Sequence, residues 1–282
     1  MTTEEIARKY GLDSEESACF RKYLENMFAA SAERQEADMS FIEKWREIYS
    51  YSVANGIGEA LNKYVVSKRP VEFIDPDGIR LEIYDSFAGE IPVIYIKNSR
   101  DFEHFITNAA YRGVPPENLS QTGASFIFGK TTRFIVLSAK PYSGVSASQI
   151  GISPEVWQEK SMIIRREHEC THYFTKRRYG LSRNHLHDEL IADFFGIYEA
   201  FGNYKAELFH KFMGIGGNSG GRLKFYTAGL SERLFAAVSE TALQASAYLE
   251  KYSESSDFLN KSRKERVAVL CETSLTEMCS RA

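Results

Sequence analysis

Two neighbouring stretches decide the reading of this chain: PEVWQEKSMIIRREHECTHYFTKRRYG at residues 154 to 180, and NHLHDELIADFFGIYEAF at residues 184 to 201. Ser153 stands directly before Pro154 and Glu155 in the first. A serine hydroxyl accepts from the free amides at a helix start, and proline is pre-set for the first helical position. A helix is therefore predicted from Pro154 to Tyr179, with Gly180 able to take the left-handed conformation that closes it. Inside it, His168, Glu169, Cys170, Thr171 and His172 spell HExxH. Helical residues four apart lie about 6 Å apart along the axis and about 40° apart around it, so both imidazoles leave one face. Glu169 falls about 100° around from His168, within reach of a water held by an ion without being a ligand. Cys170 points away from that face and reads as a packed thiol.

The second stretch predicts a helix from near Asn184 to about Phe201, with Leu190, Ile191, Phe194, Phe195 and Tyr198 on an apolar side. Glu189 and Asp193 stand four apart on one face of it. A catalytic zinc site needs three protein ligands and one open position. His168, His172 and Glu189 make that set for a single Zn2+ ion, with His185, His187 and Asp188 as the alternatives for the third place. Asp193 is expected to accept a hydrogen bond from the far ring nitrogen of His168 or His172, fixing its tautomer. An ion held there would acidify a water for Glu169, the expected general base, which would pass the proton to a leaving amine. Tyr179, His210, Arg222 and Tyr226 are the candidate donors to a developing oxyanion.

HExxH followed on a second helix by Glu189 and, four residues later, Asp193 resembles the gluzincin branch of the zincin metallopeptidases, over about residues 154 to 201. The metzincin pattern is excluded, because its Gly and third His would fall at Thr175 and Arg178. The resemblance implies a zinc-dependent peptidase acting on a peptide or protein substrate. It also implies an α+β, zincin-like fold in which a small mixed sheet packs on the HExxH helix. The sheet's edge strand would lie across the cleft and pair with extended peptide. We assign that edge to TTRFIVLSA at 131 to 139. The competing expectation is a zincin-like scaffold without turnover that binds a protein partner.

Outward from this centre, residues 1 to 69 read as a helical N-terminal lobe, with Phe41, Trp45, Ile48, Tyr49 and Val53 at steps of three and four. From Pro70 to the last residue, 282, we expect one metallopeptidase domain with a helical C-terminal part. VEFI at 71, IRLEIY at 79, IPVIYI at 91, SFIFG at 125 and RFIVLSA at 133 read as strands, divided by DPDG and AGE turns. Asn98 and Ser99 can start a helix running through Ala110, and the chain beyond Ser231 reads as helix again. GIGGNSGGR at 214 to 222 lacks the Gly, Lys and Ser or Thr that end a phosphate loop, so a connector or lid is expected. Lys176, Arg177 and Arg178 suit the C-terminal dipole of their helix.

Bulk composition removes other classes. A net charge of -3 over 282 residues provides no field toward nucleic acid or anionic lipid, so neither is expected as a partner. No apolar run approaches the roughly 20 residues of a bilayer span. MTTEEIARKYGLDSEE is acidic where an export signal would be basic and then apolar. Four cysteines without CxxC spacing suit reduced thiols, and a cytoplasmic location is expected.

Overall fold

The computed structural model describes residues 1–29, 39–129, 133–181, 185–216 and 221–282. It is a mixed α and β structure, mostly helical, with one small four-stranded sheet. The chain divides into two compact units, Met1–Gln35 with Phe174–Ala282, and Glu36–Tyr173. The first 69 residues are thus shared between the units.

The chain opens with α1 (Thr3–Lys9) and α2 (Ser14–Tyr23), each started by a capping box, from Thr2 with Glu5 and from Asp13 with Glu16. α3 (Phe41–Asn55) and α4 (Ile57–Tyr64) follow. Phe41, Trp45 and Ile48 are buried on α3 as the spacing predicts, while Tyr49 and Val53 are exposed. VEFI at 71 is not a strand. Its backbone is taken up by side chains instead: Asn62 bonds both the N–H and the carbonyl of Val71, and the Asp101 carboxylate accepts from the amides of Ile74 and Asp75. With those groups satisfied, nothing drives them into a ladder.

The strands are β1 (Ile79–Ser86) and β2 (Gly89–Ile96), then α5 (Ser99–Ala109), then β3 (Ala124–Phe128) and β4 (Arg133–Ser138). Asn98 caps α5, accepting from the amides of Arg100 and Asp101. The strand order is β1-β2-β4-β3; β2 and β4 are parallel and the other two pairings antiparallel. This corrects one expectation: the strand at 133 is internal, and the edges are β1 and β3. The reason is burial on both faces. Phe134 packs on Trp45 of α3 and Phe105 of α5, its ring centroids 5.0 and 6.3 Å from theirs, and Phe134, Ile135, Val136 and Leu137 are all buried. A near-continuous apolar run belongs inside a sheet covered on both sides.

α6 (Ala147–Ile150) leads into α7 (Pro154–Tyr179), which has the predicted bounds and contributes to both units. Gly180 follows with φ +70, the left-handed conformation expected of a closing glycine. α8 (Leu186–Phe201) starts on His185 as its cap. Asn184, the predicted start, lies outside the described residues. α9 (Ala206–Met213), α10 (Leu223–Tyr226), α11 (Glu232–Ser253), α12 (Ser256–Leu259), α13 (Arg263–Glu272) and α14 (Leu275–Arg281) complete the chain. α8 is buried almost all round, against α9, α11 and α13, with Leu190, Ile191, Phe194 and Ile197 wholly inaccessible. Of the glycine-rich run at 214 to 222, residues 217–220 lie outside the described residues, so its expected connector or lid role does too. No helix among the described residues is long and apolar enough to cross a membrane. Cys170, Cys271 and Cys279 are buried free thiols and Cys19 is an exposed one.

Candidate metal centre

α7 builds one half of the site by a stripe of side chains at steps of four and three: Trp157, Ser161, Arg165, His168 and His172. The first three hold a passing segment of chain. Trp157 Nε1 donates to the Val145 carbonyl at 2.7 Å, and Ser161 Oγ accepts from the Tyr142 amide at 3.1 Å. The Arg165 guanidinium donates to the carbonyls of Ser138, Lys140 and Pro141. Gly123 makes room for that guanidinium, since a Cβ there would lie 2.6 Å from Arg165 Nε. The segment so held delivers Tyr142, itself buried, to His168, with Tyr142 Oη 3.1 Å from His168 Nδ1.

The other ring nitrogens face each other. His172 Nε2 and His168 Nε2 are 3.0 Å apart, with the ring planes nearly perpendicular. Two imidazoles on a tetrahedral zinc would hold their nitrogens about 3.3 Å apart. For Nε2 of His168 to present its lone pair to an ion, Nδ1 carries the proton and donates to Tyr142 Oη, the arrangement that sets tautomer and ring orientation in metal sites. Glu169 is half-buried, and its side chain shows no hydrogen bond or ion pair among the described residues.

On α8, Glu189 and Asp193 form two rungs with the chain around α10. Tyr226 Oη donates to Glu189 Oε2 at 2.8 Å, and Arg222 Nη2 donates to Asp193 Oδ2. Burial, above all, and the carboxylates of Glu189 and Asp193 hold the Tyr226 phenol well above its ordinary pKa, against the Arg222 charge; it stays a donor. Both carboxylates are buried, as are His187 and Asp188 on the same helix, and buried charge is tolerated only when paired, hydrogen-bonded or bound to a cation.

His168, His172 and Glu189 are all buried, and one ligand atom of each lies within 4.8 Å of the other two, so the group could hold a metal ion. Two imidazoles and one carboxylate fit such an ion by donor chemistry. Two of the three alternatives for the third place are occupied otherwise: His185 Nε2 donates to the Tyr23 carbonyl, and His187 Nε2 donates to that of Leu270. Asp188 is buried and does not belong to the group formed by His168, His172 and Glu189. Burial depresses the pKa of His187 to about 4.

Two expectations need correction. The partner seen on His168 Nδ1 is Tyr142, and Asp193 is paired with Arg222, because that guanidinium reaches it from the chain just before α10. Of the four candidate oxyanion donors, Arg222 and Tyr226 stand beside Asp193 and Glu189. Tyr179 packs on Phe28 and His210 is bonded to Ser246 Oγ, both engaged elsewhere. Tyr142 was not foreseen. Its signal was the polar stripe of Ser161 and Arg165 on the same face of α7 as the two histidines, which must grip something when buried.

Residues 66–133 and 130–282 match a family described as "Family of unknown function (DUF7005)", and the chain belongs to that family. No curated protein and no solved structure matches it.

Proposed function

We propose that this chain is a zinc-dependent peptidase, with His168, His172 and Glu189 holding one Zn2+ ion and Glu169 as general base. The observation that carries the proposal is the grouping of two buried imidazoles and a buried carboxylate around one point, with Glu169 next to His168 on the helix that carries both imidazoles. Bound zinc supplies Lewis acidity, acidifying a water and polarising a carbonyl.

The residues do the rest. Glu169 takes a proton from the attacking water and passes it to the leaving amine nitrogen. Tyr142 keeps His168 turned with Nε2 inward, and Tyr226 orients the Glu189 carboxylate. Asp193 anchors Arg222, which with Tyr226 remains the candidate for stabilising negative charge on the substrate oxygen.

A peptide substrate, and a zincin-like packing of the sheet on α7, is favoured by β3. This antiparallel edge strand runs along α7 beside the histidines: Gly123 lies against Arg165, and the Phe126 ring is 5.7 Å from that of Tyr173. An exposed edge offers main-chain donors and acceptors to an extended chain.

The test is metal analysis with a peptide-cleavage assay on the full chain. The proposal expects close to one zinc per chain, cleavage lost on chelation and restored by zinc, and cleavage abolished by Glu169→Gln with zinc retained. Zinc without turnover would favour a regulatory scaffold; turnover surviving Glu169→Gln would defeat the base assignment.

A further inference from the structure

The N-terminal helices lie outside the residues that match the family, yet one of their side chains reaches both supports of Glu189. At the end of α2, the Tyr23 carbonyl accepts from His185 Nε2 at 3.0 Å, and the two rings stand 4.5 Å apart. The Tyr23 hydroxyl donates to the Tyr226 carbonyl at 3.1 Å. Each partner is in turn bonded to Glu189. The Glu189 amide donates to the His185 carbonyl at 3.0 Å, and Tyr226 Oη donates to Glu189 Oε2 at 2.8 Å. Backbone and carboxylate of one residue are therefore each a single hydrogen bond from a group that Tyr23 grips.

The tautomer of His185 agrees with this arrangement. A carbonyl only accepts, so Nε2 carries the proton, and the free lone pair of Nδ1 accepts from the His187 amide at 3.3 Å, capping α8. Tyr23 thus holds the cap of the helix that bears Glu189 and the element whose hydroxyl orients its carboxylate.

We infer that Tyr23 is a positioning residue for Glu189, so that the segment before residue 30 sets how well the metal is held. The inference rests on the metal-site reading above. A carboxylate fixed at both backbone and side chain loses less entropy on binding an ion, and partners behind a ligand change affinity by about 10- to 100-fold. One step further back, about 3- to 10-fold is expected.

The test is zinc affinity, measured by competition with a chromophoric chelator on full-length wild type, Tyr23→Phe, Glu189→Gln and the double variant, with circular dichroism on each. Phenylalanine keeps the ring on His185 and removes the hydroxyl with its bonds to the Tyr226 carbonyl and to the backbone of Leu186, the first residue of α8. The inference expects a 3- to 10-fold weaker affinity for Tyr23→Phe with unchanged circular dichroism, and no further loss when it is added to Glu189→Gln. Affinity within twofold of wild type overturns it, as does an equal loss in the Glu189→Gln background, which would mark a general effect on folding. Wild type that takes up no zinc overturns the metal-site reading and this inference together, whereas binding weakened in Glu189→Gln with Tyr23→Phe within twofold of wild type overturns this inference alone.

Discussion

Replacing Tyr142 by phenylalanine removes one oxygen from a side chain that is 3% exposed and leaves the ring in place. What is lost is the 3.1 Å bond to His168 Nδ1. In the folded protein without metal, one hydrogen bond contributes about 1 kcal/mol, so the fold survives. In the proposed zinc site the larger effect falls on the ion. With its outer partner gone, His168 is free to rotate or to protonate on Nε2, and either removes the lone pair from the ion. Loss of such a partner weakens metal binding about 10- to 100-fold, or about 1.4 to 2.8 kcal/mol. The assay is chelator competition at fixed pH, with thermal unfolding of the metal-free protein as the control for fold. Zinc affinity within twofold of wild type would refute the role assigned to Tyr142.

Further outcomes follow from neighbouring contacts. Gly123→Ala places a methyl 2.6 Å from Arg165 Nε and is expected to destabilise by about 1–3 kcal/mol, read as a lower midpoint in urea; an unchanged midpoint would show that Arg165 can move away freely. Asp193→Asn leaves Arg222 without its ionic partner and should cost about 1–3 kcal/mol, less than for a fully buried pair because Arg222 keeps some solvent contact; denaturant unfolding measures it, and no loss would mean the pair adds nothing. At Glu240, burial favours protonation, but hydrogen bonds from Lys9, Gln244 and Tyr10 outweigh it and hold the carboxyl below its ordinary value of 4.5. A depressed carboxyl stabilises above that ordinary value and loses the contribution as pH falls through its folded value. Glu240→Gln should therefore flatten the fall of melting temperature below about pH 5, and parallel curves would contradict the assignment.

Much of the frame was written locally in the chain. Ser153, Pro154 and Gly180 bound α7 because helix ends need caps, and HExxH carries its own geometry once the segment is helical. Glu189 and Asp193 share one face of α8 for the same reason, being four apart on a helix. What was not legible depends on contacts distant in sequence. Tyr142 meets His168 only because Arg165, Ser161 and Trp157 catch a loop arriving from β4, and no local period announces that. Asp193 drew the wrong partner because Arg222 arrives from 29 residues downstream. The edge strand was different, since its correction could have been read beforehand. FIVLS at 134 to 138 is apolar on both alternating faces and so belongs inside the sheet, while the segment at 124 to 128 is only partly buried on either face. At VEFI, β-type composition was overridden by Asn62 and Asp101, whose side chains replace a neighbouring strand.

The most direct measurement is an anomalous diffraction map at the zinc edge from crystals of the full chain grown with zinc. The account predicts one strong peak at about 2.0–2.2 Å from His168 Nε2, His172 Nε2 and a Glu189 carboxylate oxygen. A map with no peak there, or a peak held by other side chains while Glu189 stands apart, would contradict it.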